Sequence, residues 1–213
     1  MKTLDQIAIE CGTDKSSKGH AYCQYYDMML SHLRDAPIKL LEIGIDEGNS
    51  LRMWQQYFKN GEIHGIDIRE GYEYLHELGL HTHLVDQSSP AQLTNFAANQ
   101  TTRFNICIDD GSHQSDDMVM SFHALFPYLE FGGYYIIEDL LCAYDSRWSS
   151  GRMNVLDRIR DMIGEVNMNG AIPNSHICAN KNEAVKKYNA TYWGLNIEWV
   201  FAACGTVIIK KMP

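Results

Sequence analysis

Five short apolar runs between Ile38 and Ile137, each holding or followed by an acidic residue, alternate with stretches whose apolar residues recur every three or four positions. The runs are Ile38–Gly44, Ile63–Ile68, Leu80–Val85, Phe104–Asp109 and Tyr134–Ile137. Runs of this length read as buried strands, and Ser50–Phe58 and Pro90–Ala98 between them read as helices. Parallel neighbours need a crossover long enough for a helix, so the alternation dictates βαβ units and a largely parallel sheet. Asn196–Ala203 and Thr206–Lys210, joined through Gly205, read as a terminal hairpin. The expected architecture is therefore an α/β, Rossmann-like, mostly parallel seven-stranded sheet with a C-terminal antiparallel hairpin.

Helices precede and punctuate that sheet. Thr3-x-x-Gln6 is a capping-box pattern for a short first helix that ends at Gly12. Tyr22, Tyr25, Tyr26, Met29, Leu30 and Leu33 form the apolar stripe of a second, closed by Pro37. Residues 1–36 are thus expected to form an N-terminal helical cap on a cofactor-binding unit, 37–213, in one compact domain. Met118, Phe122, Leu125, Phe126 and Leu129 mark a helix expected to be capped by Ser115 and stopped by Gly132-Gly133. Val155, Ile159, Met162, Ile163 and Val166 share one side of another, while Asn167 to Gly194 is polar and without clear pattern.

Charge narrows the partners. With 18 basic and 27 acidic residues in 213, the net charge is −9, which excludes a phosphate-backbone partner that needs a basic surface. The six cysteines have no CxxC spacing, and Cys107 and Cys204 lie in apolar, strand-like runs. This usage suits a reducing, cytoplasmic setting. The start, Met1-Lys2-Thr3-Leu4, lacks an apolar signal core, and no apolar stretch is long enough for a membrane span.

Glu42-x-Gly44-x-x-x-Gly48 sits between an apolar strand and a helix, the context of a nucleotide loop. Dinucleotide folds seat a pyrophosphate on the N–H groups of this turn, where Asp46 and Glu47 would repel it. A phosphate-free ligand carrying ammonium and sulfonium groups suits the turn, and S-adenosylmethionine (SAM) is such a ligand. Asp67, closing the second strand, is placed to accept hydrogen bonds from ribose hydroxyls, and Asp86-Gln87 to reach an adenine amino group. The bland alternative is that such acids merely cap helices; acids at the ends of four successive strands argue against it.

Ile108-Asp109-Asp110-Gly111-Ser112-His113 and Glu138-Asp139 bring the chemistry. Ligands of an open parallel sheet bind at the carboxyl ends of its strands, so Asp110, Glu138 and Asp139 are expected to converge there. All-oxygen ligation favours magnesium over zinc, and open positions on magnesium leave room for substrate oxygens. His113 is the candidate general base for a hydroxyl held beside the metal. The alternative is that the acids start helices and His113 packs against a loop. His20, His81, His83 and His123 carry less weight: His81-Thr-His83 has same-face spacing, but a metal site needs a third ligand and a supporting shell.

Together with Gly12-Thr-Asp-Lys15, His20, Tyr22, Leu41-Glu-Ile-Gly44, Gly48, Ser50-Leu51, Trp54, Gly65-Ile-Asp67-Ile68 and Gly132-Gly133, these motifs resemble the class I SAM-dependent methyltransferases. The particular resemblance is to metal-dependent sugar O-methyltransferases of the macrocin and mycinamicin type, with related cephalosporin-pathway proteins. It implies SAM binding by Glu42, Gly44, Ser50, Asp67, Asp86, Gln87 and Asp109. It also implies magnesium on Asp110, Glu138 and Asp139, His113 as base, and the segment from Gly12 to Tyr22 as a cover over the cofactor. The expected activity is methylation of a hydroxyl on a sugar or glycosylated acceptor, by an enzyme that is often a homo-oligomer. A catechol-like or cephalosporin-type acceptor, a nicotinamide oxidoreductase and a non-catalytic SAM-binding protein are the alternatives.

Overall fold

The computed structural model describes residues 2–149, 152–169 and 190–213. Seven strands form one sheet: β1 (Lys39–Ile43), β2 (Glu62–Asp67), β3 (His81–Leu84), β4 (Phe104–Asp109), β5 (Leu129–Ile137), β6 (Ile197–Ala203) and β7 (Thr206–Lys211). Their order is β3-β2-β1-β4-β5-β7-β6. Neighbours from β3 to β5 run parallel, whereas β7 lies antiparallel between β5 and β6. Strand order reverses between β1 and β4, the point at which an open α/β sheet leaves a crevice at its carboxyl edge.

Alternation of side chains along each strand makes two cores. On one face Leu41, Ile43, Cys107 and Ile137 pack with α4 (Pro90–Ala98), α5 (Ser115–Leu125) and α6 (Val155–Asn169), through Leu93, Phe122 and Met162. On the other face Leu40, Ile106, Ile108 and Ile136 meet α1 (Leu4–Cys11), α2 (Cys23–Leu30) and α3 (Asn49–Tyr57), through Leu4, Tyr26 and Trp54. A short helix, α7 (Tyr192–Asn196), leads into β6. The capping box is present at Thr3 and Gln6, and Gly12 ends α1 in the left-handed region. No described helix is long and apolar enough to cross a membrane.

The structure corrects four local expectations. Ser115 is the first residue of α5, and Gln114 takes the cap position without a side-chain bond to the helix end. The helix stops at Leu125, where Phe126-Pro127-Tyr128 tightens into a 3-10 turn, because proline cannot continue an α-helical ladder. Gly132-Gly133 therefore lies inside β5, and the β4–β5 register shifts between Phe104 and Ile106. Cys204 is exposed in the hairpin turn, and Ile163 is half-exposed on the outer side of α6. Most of the unpatterned stretch from Asn167 to Gly194, with Cys178, lies outside the described residues.

Candidate functional site

A cavity of about 770 Å³ opens at the carboxyl ends of β1, β2, β3 and β4, well within the roughly 300–1,000 Å³ typical of small-molecule sites. Gly44, at the end of β1, has φ +89°, and a Cβ there would come 2.1 Å from the Asp110 carbonyl oxygen. Only glycine lets the turns after β1 and β4 close on each other. Gly48 caps α3 in the left-handed region, and α3 begins with Asn49 and Ser50 at the cavity wall.

Asp67 anchors that wall. One of its oxygens accepts from Ile45 N–H at 2.9 Å and from the Tyr72 hydroxyl at 3.2 Å, and the other accepts from Arg69 N–H at 2.9 Å. Burial acts to raise its pKa, but these N–H donors and the Arg69 guanidinium bring it below the ordinary aspartate value. Arg69 also lies 3.5 Å from Asp46, whose charge it offsets. Asp86 and Gln87 line the cavity beyond β3. The Gln87 amide is spent within the protein: it donates to Asp109 at 2.7 Å and Ser121 at 3.1 Å, and accepts from Ser112 N–H at 2.7 Å.

Two expected cofactor residues lie beneath the wall rather than in it. Glu42 is fully buried, accepts from the Ser50 hydroxyl at 2.8 Å and sits 3.3 Å from Lys15 Nζ; burial pushes its pKa up to about 7. Asp109 is also fully buried and is pushed up to about 7 by the same cause. Both act on the cavity through neighbours.

The three expected metal ligands divide between two groups that share Asp110. Asp110, His113 and Asp139 form one, and Glu42, Asp110 and Glu138 the other; within each, ligand atoms lie inside 4.8 Å of one another. Lys15 occupies the inner group. Its ammonium bonds Asp110, reaches Glu138 at 2.7 Å, and is almost wholly buried. Burial opposes the lysine charge, but Asp110, Glu138 and Glu42 outweigh it and hold its pKa well above the usual value. Glu138, buried with more negative than positive neighbours, is driven well above the ordinary carboxylate range. Its other oxygen accepts from the Tyr26 hydroxyl.

The outer group faces the cavity. Asp139 follows β5 in the left-handed region, φ +53°, and accepts from the Tyr22 hydroxyl at 2.7 Å. His113 is likewise left-handed, φ +58°, a conformation that costs energy for a side chain with a Cβ and clusters at functional sites. Its Nε2 lies 3.6 Å from Asp139, whereas Nδ1 is buried without a hydrogen-bond partner among the described residues. Lys15 and Tyr22 stand in the motifs of the sequence and Tyr26 in an apolar stripe, but none of the three is expected there as a partner of the carboxylates. The Gly12-Thr-Asp-Lys15 motif was the available signal, but not its bonding across the fold. The oxygen-rich outer group fits a hard divalent cation, and the cavity beside it fits a nucleoside-sized ligand.

A mostly parallel α/β sheet in this strand order, with an antiparallel hairpin at one edge, is the fold of the class I methyltransferases. Residues 41–140 match the family model described as a methyltransferase domain. The chain's homologues are the macrocin- and mycinamicin-type sugar O-methyltransferases. Demethylmacrocin O-methyltransferase of Streptomyces fradiae is 39% identical over 148 residues, covering 66% of this chain and 37% of that protein. Mycinamicin VI 2''-O-methyltransferase of Micromonospora griseorubida is 35% identical over 148 residues, covering 66% and 37%. The solved MycE methyltransferase of the mycinamycin biosynthetic pathway, in complex with Mg and SAH, superposes with a TM-score of 0.82 at 27% identity, over 99% of this chain and 55% of that one. The matched stretch thus spans little more than a third of the curated relatives' length.

Proposed function

We propose that this protein transfers the methyl group of SAM to a hydroxyl of a sugar or glycosylated small molecule, with magnesium at the carboxylate cluster. The observation that carries the proposal is the convergence of Asp110, Asp139 and His113 beside the cavity walled by Gly44, Ser50 and Asp67. The mycinamicin relative has been solved with Mg, SAH and mycinamycin VI, which supports a glycosylated acceptor here.

Asp110 and Asp139, with Glu138 behind them, would hold the cation; Lys15 offsets part of the negative charge from the inner side. When bound, the cation lowers the pKa of a coordinated hydroxyl. His113 takes the hydroxyl proton on Nε2, the ring nitrogen nearest Asp139. The acceptor oxygen then attacks the methyl carbon, and the carbon–sulfur bond breaks with its electron pair passing to sulfur. Asp67 orients the ribose, and Glu42 and Asp109 hold Lys15, Ser50 and Gln87 in place from below. Positioning alone can contribute roughly 7–11 kcal/mol of barrier lowering. Residues 1–36 serve as a helical cap over the unit 37–213, and the free thiols among the described residues suit a cytoplasmic enzyme.

The test is calorimetric titration of SAM into the protein with magnesium, followed by mass-spectrometric detection of methyl transfer to glycosylated acceptors and simple diols. Micromolar binding and a +14 Da sugar product, by the mass of an added CH₂ group, are expected. No binding at millimolar SAM would overturn the cofactor reading, and methylation confined to catechols would overturn the acceptor class.

A further inference from the structure

At the opposite end of the sheet from the cavity, β2 and β3 begin with a cluster that the methyl-transfer reading does not use. Register pairs His64 with His81 and Ile66 with His83, so Glu62, His64, His81 and His83 share one sheet face. The His64 ring stacks on His81, with centroids 4.7 Å apart, and lies edge to edge and nearly coplanar with His83, with centroids 5.2 Å apart. One ligand atom from each of Glu62, His64 and His81 lies within 4.8 Å of the other two.

We propose that Glu62, His64 and His81 form a zinc site, separate from the carboxylate cluster at the cavity. Two imidazoles and one carboxylate are a donor set that zinc accepts, and three protein ligands leave one position for water. The supporting shell is present. His64 is buried and fixed through Nδ1, which lies 3.0 Å from His83 Nε2, while its Nε2 lies 2.6 Å from Glu62 Oε1. That imidazole pair can exchange donor and acceptor roles, so His64 can release the Nε2 proton to bind metal while Nδ1–H donates to His83.

Glu62 and His81 are exposed and free to close the remaining distance. Lys39 is the charge that opposes zinc: its Nζ lies 3.3 Å from Glu62 Oε1 and 3.0 Å from Gln100 Oε1. Both it and His64 contact Oε1, so Oε2 is the oxygen available to a metal.

The experiment uses the full chain without a polyhistidine tag, stripped with chelator, returned to excess magnesium to occupy oxygen sites, and titrated with zinc against a chromophoric competitor. One zinc per chain is expected. His81→Ala and Glu62→Gln, both at exposed positions, should each weaken it by at least about tenfold, with unchanged circular dichroism. Cobalt(II) in place of zinc should show no thiolate charge-transfer band. The proposal is overturned if the unsubstituted protein binds no zinc, if both variants retain it undiminished, or if cobalt reports thiolate ligation.

Discussion

At the residue scale, His113 and Asp139 hold left-handed backbone conformations side by side at the mouth of the cavity. His113→Ala should lower kcat by about 10²- to 10⁴-fold, the usual contribution of a general base, while calorimetry shows unchanged SAM affinity. A parallel loss of SAM binding would make the residue structural. Asp109 supplies a prediction of a different kind. Its folded pKa of about 7 lies above the unfolded aspartate value of 3.8, so the folded state binds the extra proton between those limits. The stability it contributes is present at acidic pH and is lost as pH rises towards 7 and beyond, by a few kcal/mol at about 1.4 kcal/mol per unit. Asp109→Asn keeps an oxygen for Gln87 but cannot ionise. Urea melts should therefore show the variant gaining on the parent between pH 5 and pH 8, and a pH-independent difference would refute the assignment. The acids at strand ends were legible as sequence because each terminates its own apolar run. Their partners were not: Lys15 reaches Asp110 and Glu138 across 95 and 123 residues, and Tyr22 reaches Asp139 across 117. Local pattern carries no information about such pairings.

At the scale of elements, the strands from β1 to β4 and the helix α4 follow the alternation in the sequence to within a residue, because each is bounded by turn residues and β1, β2 and β4 are almost wholly buried. The misread boundary, at Gly132-Gly133, shows where that logic ends. Two glycines after an apolar helix face read as a stop, but they lie at the irregularity in β5 between Leu129 and Tyr134, which pair with β4 on either side, and Gly132 N–H donates to the Met212 carbonyl at 3.1 Å. The aromatic packing around Phe122 binds this region into one unit. Its ring meets Tyr135 of β5 at 5.2 Å, Phe126 at 5.0 Å and Trp193 of α7 at 4.9 Å, and it is fully buried. Phe122→Ala should cost about 3–5 kcal/mol, measured by denaturant unfolding. It should also quench the near-ultraviolet dichroism of the aromatic cluster. A loss below about 1 kcal/mol would mean that α5 and the Trp193 segment are not part of one cooperative core.

At the scale of the whole molecule, a chain with net charge −9 gathers carboxylates at one edge of its sheet. Lys15 is the cation at their inner side, and the outer pair, Asp110 and Asp139, faces the cavity. Concentrated negative charge opposes compaction, and a ligand that binds only the folded state offsets that cost by mass action. S-adenosylhomocysteine at about 100 times its Kd should raise unfolding free energy by about 2.7 kcal/mol. Magnesium should add its own increment, reversed by chelator, because the unfolded chain does not hold Asp110 and Asp139 together. The two increments are separable. Asp139→Asn should abolish the magnesium-dependent rise in thermal midpoint and leave the S-adenosylhomocysteine rise, since Asp67 and the Gly44 turn are untouched. If the variant keeps its magnesium response, the cation is held by other acids; if it loses both responses, Asp139 supports the cavity rather than the metal.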